Sequence, residues 1–329
     1  LIKKKPEECT LILCEGLSAK TFAVTGITVG IGEKKGRDYW GIYALRGKLL
    51  NTRNSNTAQI TKNKEIVDII QILNLKFDVD YSKDSEFKSL NYGKVMIITD
   101  QDTDGFHITG LIMNFFHHLF PSLFYRPGFI SSMFTPIINI TVNKQVLRFY
   151  NLNQAYDYLK TAPKNSSVKY LKGLGSSNDD DIKETFGKLL IKYEITDKDK
   201  VTSEIEKVFH QKFAEQRKEW LRQFEDKLSI IDVKVMVNKP ISYDVPFEDF
   251  LNVEMIKYSM EDCIRNLPNI YDGLKQSQRK ILYAFLHKGE NVKMKVSQWA
   301  GFVSEKTCYH HGEQCLFDTI IKMAQDFMG

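Results

Sequence analysis

Asp100, Asp102 and Asp104 occupy alternate positions, closed by Gly105, directly after the apolar run Val95-Met96-Ile97-Ile98. Such a run reads as a buried strand. Carboxylates fanned out at its end are positioned by the strand and supply the oxygen ligands that a hard divalent cation such as Mg2+ requires. The same spacing opens a calcium-binding EF-hand loop, whose last ligand is a bidentate Glu at position 12. Counted from Asp100, position 12 is Leu111, and the preceding Lys94 to Thr99 is β-branched and apolar where an EF-hand would have a helix. Standing alone, the run would be a solvated loop with an Asp-Gly turn.

A second acid repeats the pattern. Thr10-Leu11-Ile12-Leu13-Cys14 is another short apolar strand, and it runs into Glu15-Gly16-Leu17-Ser18-Ala19-Lys20 and a helix-compatible segment. A lone Glu at a strand-to-helix turn is ordinarily a surface charge near a helix N-terminus. In an open α/β sheet, however, functional groups gather at the carboxyl ends of the strands. If these two strands are neighbours, Glu15 and two or three of the aspartates face one metal pocket.

The elements that must position these acids follow from hydrophobic pattern. From about Thr10 to Arg126, short apolar strands alternate with helical stretches such as Ile66 to Leu73 and Ile108 to Phe120, which predicts a parallel sheet flanked by helices. Arg126-Pro127-Gly128 punctuates it. Residues 129 to 170 are β-rich, with a strand through Pro136 to Val142, a turn at Asn143-Lys144 and a return over Val146 to Tyr150. Asp179 to about Leu228 is charged and helical, with an apolar stripe through Phe186, Leu189 and Leu190. From Tyr243 the pattern predicts helices around Phe247 to Leu251, Met255 to Asn266, Lys275 to Leu286 and Phe317 to Phe327. The domains expected are 9–126, 127–240 and 241–329.

Composition bounds the class. The 329 residues are 43% apolar, enough for two or three ordinary cores, so the chain is a multidomain globular protein. The net charge of +5 is modest. Locally it is not: Lys275 to Lys295 holds six basic residues against the single acid Glu290, the footprint of a phosphate-tracking surface or of an exposed helix face. Five irregularly spaced cysteines form no disulfide framework, which predicts a reducing compartment. No apolar run approaches the ~20 residues of a membrane span. Cys308, His310, His311 and Cys315 match no common zinc-finger spacing. With Leu1 at its start, no signal peptide, and Gly329 inside a helical pattern, the sequence reads as a fragment.

Taken together, these blocks resemble the type IIA DNA topoisomerases, specifically eukaryotic-type topoisomerase II, through most of the chain. The Toprim signature of that family is Glu-Gly-Asp-Ser-Ala plus Asp-x-Asp-x-Asp-Gly, which Glu15 to Ala19 and Asp100 to Gly105 match with one departure. Further blocks in the family's order are Leu45 to Asn51, Tyr170 to Gly175, Arg217 to Leu221, Asp272 to Lys275 with Gln278-Arg279-Lys280, and Tyr309-His310-His311-Gly312-Glu313. The departure is Leu17, where the family usually carries Asp. It removes one negative charge beside the metal site and any role of that acid in orienting ligands, and it marks a divergent member, in the direction of a large DNA virus.

The resemblance implies an α/β Toprim domain, a helical linker and the start of a mainly α winged-helix DNA-binding region. It implies Glu15, Asp100 and Asp102 as metal ligands and catalytic groups, with Asp104 as an auxiliary. Two Mg2+ per active site are implied, with Mn2+ or Ca2+ able to substitute in binding. It implies DNA contacts by Arg46, Lys48, Asn51, Lys275, Gln278, Arg279, Lys280, His310 and His311. The implied reaction is ATP-dependent double-strand breakage, passage of a second duplex and religation, by a homodimer that acts on double-stranded DNA and no membrane. The implied location is intracellular: the nucleus, or viral replication sites in host cytoplasm or nucleus. The family nucleophile is a Tyr preceded by Arg beyond the His-His block, and this chain contains no Arg-Tyr pair. The ATP-binding domain, which precedes the Toprim domain, is absent too, so ATP belongs to the full-length enzyme alone. Primases and small nucleases also carry Toprim acids, without the Asp272 to Lys280 and Tyr309 to Glu313 blocks. A non-enzymatic DNA-binding scaffold is the remaining alternative.

Overall fold

The computed structural model describes residues 5–171, 173–225, 229–230, 241–289, 292–309 and 311–326. The chain divides into two compact units, Leu1–Tyr258 and Ser259–Gly329.

The first unit is built on strands β1 (Thr10–Cys14), β2 (Trp40–Ala44), β3 (Lys94–Ile98), β4 (Ile130–Met133), β5 (Ile138–Val142), β6 (Gln145–Phe149), β7 (Ser167–Tyr170), β8 (Leu189–Glu194) and β9 (Ile241–Pro246). Six of them form one sheet in the order β2-β1-β3-β4-β8-β9. The first four run parallel; β8 pairs antiparallel with β4, and β9 runs parallel to β8. The sheet is covered on both faces, which is why β1 and β3 read as continuous apolar runs rather than alternating ones.

Period-two geometry divides each strand between two cores. Leu11, Leu13, Val95 and Ile97 point into a large core with Ile66 and Ile69 of the helix Lys64–Leu73 and with Ile112, Phe115 and Phe116 of the helix Thr103–Leu119. Ile12, Cys14, Met96 and Ile98 point the other way, against Ala19, Phe22, Ala23 and Ile27 of helix α1 (Leu17–Val29) and against Ile182 and Phe186. Each such fully buried side chain contributes about 1.5–3 kcal/mol relative to exposure. The strand ends are therefore held from above and below.

A three-stranded antiparallel sheet, β6-β5-β7, packs its own core of Ile138, Ile140, Leu147 and Phe149. The predicted turn is present: Asn143 and Lys144 have φ of 49° and 67°, the left-handed pair that a two-residue hairpin requires.

Two elements differ from expectation. Leu189 and Leu190 belong to strand β8, not to a helical stripe, because Leu189 and Ile191 face Phe134, Tyr150 and Val245 while Leu190 faces the α1 core. The helices Lys198–Phe209 and Ala214–Arg222 do follow it, as the charged pattern predicts. The division expected at 241 falls inside the sheet: β9 continues it, and the compact unit extends to Tyr258. The helix expected around Phe247 to Leu251 is a short helical turn, Phe247–Asp249, passing through a π-helical turn, Phe250–Met255, into the helix Ile256–Asn266.

The second unit packs the helices Gln276–Lys288, Val296–Thr307 and Glu313–Ala324 around Ile281, Ala284, Ala300, Val303, Leu316 and Ile320. The helix Val296–Thr307 has no counterpart among the expected elements. All five cysteines are free, and among the described residues no helix is long and apolar enough to cross a membrane.

Candidate metal centre and nucleic-acid interface

β1 and β3 are adjacent and in register from Thr10↔Lys94 to Cys14↔Ile98, so the residues that follow them emerge side by side. The backbone N–H of Asp100 donates to Glu15 Oε2 at 3.1 Å. On its other side, Asp100 Oδ1 accepts the backbone N–H of Leu174 at 2.8 Å. That approach depends on Gly173, where a Cβ would stand 2.5 Å from Asp100 Oδ2. Gly105 is constrained in the same way, because a Cβ there would lie 2.1 Å from the Asp100 carbonyl oxygen. The Asp-Gly of the motif thus closes the loop back onto its first aspartate.

Asp102 is the N-cap of the helix Thr103–Leu119, with Oδ1 accepting the Gly105 N–H at 2.8 Å. Such a cap stabilises a helix by about 1 kcal/mol, and here it also fixes the carboxylate beside Asp100. Asp104, in the first turn of that helix, pairs with Lys48 Nζ at 2.5 Å. That ammonium also lies 4.4 Å from the centroid of the Tyr258 ring, which stacks on His107 at 3.8 Å. Sequence reasoning missed His107, Tyr258, Gly173 and Leu174 as parts of the site. Gly173 and Leu174 stand within a matched block, which is the one available signal.

The electrostatics report crowded negative charge. Burial, then the neighbouring Asp100 and more weakly Asp102 and Asp104, push the Glu15 carboxyl up to about 7. Asp100 is raised as well, by burial first and by Asp102, against the opposing Leu174 amide. A cation reverses this cost, since it favours the ionised form of every carboxylate near it. A recess of about 30 Å³ lined by Asp100, Asp102, Thr135 and Gly173 has room for a body the size of a water molecule. The donor set is all hard oxygen and fits a divalent ion of the Mg2+ class. Among the described residues no three His, Cys, Asp or Glu side chains converge as a closed cage, and Asp100 and Asp102 each direct one oxygen at a backbone amide. Leu17 is 79% exposed at the first position of α1.

The expected DNA contacts fall into separate groups. Arg46 is exposed, and Lys48 faces Asp104. Asn51 is hydrogen-bonded within the protein: its amide donates to the Phe209 carbonyl at 2.8 Å, and its Oδ1 accepts from Asn114 at 3.0 Å and from the Arg53 N–H at 3.2 Å. These bonds tie the side chain to the segments around Phe209 and Asn114. In the second unit, Arg279 grips Asp272 with two hydrogen bonds of 2.8 Å, which holds the Asp272 carboxyl down at about 2. Gln278 Oε1 caps the Lys275 N–H, and the Lys280 ammonium stands 5.9 Å from the centroid of the Tyr309 ring. His311 meets Arg265 at 3.2 Å. His310 lies outside the described residues.

A covered, mainly parallel sheet with one glutamate and an Asp-x-Asp-x-Asp-Gly run at adjoining strand ends defines a Toprim-domain protein. Family models agree along almost the whole sequence: a Toprim domain over residues 10–131, the C-terminal associated domain of TOPRIM over 133–263, and the DNA gyrase/topoisomerase IV A-subunit family over 265–329. The chain thus carries Toprim and DNA gyrase/topoisomerase IV A-type domains, and proteins similar to it along nearly its whole length are DNA topoisomerases 2. It is 44% identical to DNA topoisomerase 2 of Invertebrate iridescent virus 6, over 98% of this chain and 30% of that protein. It is 42% identical to DNA topoisomerase 2-alpha of Mus musculus, over 98% of this chain and 21% of that protein. Among solved structures, it matches the topoisomerase II DNA-binding, cleavage and re-ligation domain of Plasmodium falciparum with a TM-score of 0.80 and 39% identity, covering 98% of this chain and 42% of that one. The chain thus spans less than a third of the length of these two curated relatives. A Toprim domain in this family implies divalent-metal binding.

Proposed function

We propose that this chain supplies the metal centre and part of the DNA-binding surface of an ATP-dependent type II DNA topoisomerase, which cuts both strands of one duplex, passes a second through the gap and reseals the break. The observation that carries this reading is the junction of Glu15 and Asp100 at neighbouring strand ends, with Asp100 held from the far side by Leu174. Glu15, Asp100 and Asp102 would hold Mg2+, two ions per site, which supplies charge stabilisation at a leaving 3'-oxygen and at a neighbouring phosphate.

The remaining roles belong to the chain's own side chains. Asp104 restrains Lys48 beside the acids, so that a phosphate approaching the site meets an ammonium already in place. Arg46, Lys48, Lys275, Lys280 and the two histidines of the Tyr309 block would contact the DNA backbone, with each cation releasing counterions. Arg279 acts first through Asp272, bracing the loop before the helix Gln276–Lys288. Functionally, the metal segment corresponds to 9–126, a connector follows through 240, and the DNA-gripping helices lie in the second unit. The homodimer and the nuclear or viral replication-site location are carried by the family reading.

The test is Mg2+-dependent cleavage of supercoiled plasmid by the full-length protein carrying this sequence, with covalent complexes trapped by detergent. Linear, protein-linked DNA is expected from wild type and is lost in Asp100→Ala, which retains most of its DNA binding. Undiminished cleavage by Asp100→Ala would remove the carboxylates from the mechanism, and no cleavage by wild type would leave a DNA-binding scaffold.

A further inference from the structure

The end of the central sheet opposite the carboxylates has its own chemistry. Along one face run Trp40 of β2, Thr10 of β1, Lys94 of β3, Ser131 of β4 and Lys192 of β8, in the registers Thr10↔Trp40, Thr10↔Lys94 and Ser131↔Lys192. This is the face covered further along by α1 and Phe186. At the strand beginnings it is left open as the floor of a cavity of about 790 Å³. With a rise of about 3.3 Å per residue, five-residue strands put this cavity roughly 16 Å from the acids.

We infer that this cavity is a binding site for a phosphate-bearing small anion, gripped by Lys34, Lys94 and Lys192. The three lysines arrive on three separate elements and converge on one cavity. Lys34 is placed by its surroundings: its carbonyl accepts the Trp40 indole N–H at 2.9 Å, and its ammonium donates to the Glu8 carbonyl at 2.9 Å. Among the described residues, neither Lys94 nor Lys192 makes an ion pair. Partial loss of solvent around the Lys94 ammonium, followed by the charges of Lys34 and Lys192, lowers its pKa, so like charges crowd here.

Counter-charges are present on one side. Glu194 and Asp244 also line the cavity, on its β8 and β9 side, and Asp244 is the register neighbour of Lys192. Arg126 lines it too, but its guanidinium is engaged by Asp84 and by the carbonyls of Tyr81 and Ser82. With Arg126 offset by Asp84, the three lysines against two carboxylates still leave the lining net positive. Lysine ammonium groups serve phosphate as point charges. The size and concavity match small-ligand sites, which run to about 300–1,000 Å³, and favour a compact anion over a duplex.

The test uses the 329-residue chain in EDTA, titrated calorimetrically with inorganic pyrophosphate. A single saturable site is expected, weakened at least tenfold by Lys94→Gln and by Lys192→Gln, restored by Lys94→Arg, and unchanged in Asp100→Asn. Because Lys94 and Lys192 are exposed, the variants keep the wild-type fold, which their melting curves verify. Absence of saturable binding overturns the proposal, as does binding indifferent to both lysines. Equal loss in Lys94→Arg and Lys94→Gln also overturns it, because charge would then not be the cause. If short duplex DNA loses affinity by the same factor in the glutamine variants, the face is a DNA track and the small-anion site is wrong.

Discussion

Asp100 is joined to Glu15 through its backbone and to Leu174 through its side chain, at 3.1 Å and 2.8 Å. One residue thereby ties together three segments separated by 85 and 74 positions. The carboxylate is oriented by a backbone amide, which cannot rotate away as a side-chain donor could. Disturbing the Gly173-Leu174 turn should therefore act on the metal centre without touching any acid.

Gly173→Ala tests that directly. Its Cβ would meet the Asp100 carboxylate at 2.5 Å and force it off the Leu174 amide. Loss of a contact that orients a ligand typically lowers metal affinity about 10–100-fold. Mn2+ titration followed by electron paramagnetic resonance should show a drop in that range with little change in melting temperature. Wild-type affinity in the variant would mean that Asp100 orients itself.

Crowding at Glu15 predicts a stability profile with a definite sign. Its carboxyl is raised from 4.5 to about 7 in the folded protein, so the associated stability is fully present below pH 4.5 and is lost as pH rises through 7. With metal removed by EDTA, the folded state should lose on the order of 2 kcal/mol between pH 5 and pH 8 from this group, discounted for its partial exposure. Glu15→Gln should remove that part of the slope, and Mg2+ should oppose it in wild type. Parallel urea midpoints for wild type and variant across this range would contradict the assignment.

Asn51 separates a structural role from a DNA-contact role. Asn51→Ala leaves the Asn114 amide without its acceptor and removes one of the two hydrogen bonds to the Phe209 carbonyl, which keeps the one from Asn54, and should destabilise the first unit by about 1–3 kcal/mol. The dependence of DNA affinity on salt should stay as in wild type, whereas removing a phosphate-contacting cation such as Arg46 should reduce that slope by about one. A reduced salt slope with unchanged stability for Asn51→Ala would reverse the assignment.

What is legible in the sequence is local. β1 and β3 announce themselves because each is buried on both faces, and their acids stand directly at the strand ends. β8 is hidden because Phe186, Leu189 and Leu190 satisfy a helical spacing, and only pairing with the distant strands β4 and β9 decides for a strand. Val296–Thr307 is hidden because its buried residues, Ala300 and Val303, are few and small. The Leu174 amide on Asp100 cannot be read at all, since any residue but proline carries the same N–H. The Asn51 bond to Phe209 is equally illegible, because nothing in the sequence says which carbonyl its amide will find.

Strand β9 pairs with β8 from Leu189↔Ile241 to Glu194↔Pro246, so the outer edge of the sheet is completed by a segment some fifty residues downstream. During synthesis, β8 must wait as an unpaired edge while the two intervening charged helices emerge, and open edges are templates for pairing with other chains. Any recombinant boundary drawn near residue 240 would make that transient exposure permanent. The charged side chains of Lys192 and Glu194 on β8 are the kind that discourage such mispairing, so the same strand carries its own protection during the interval.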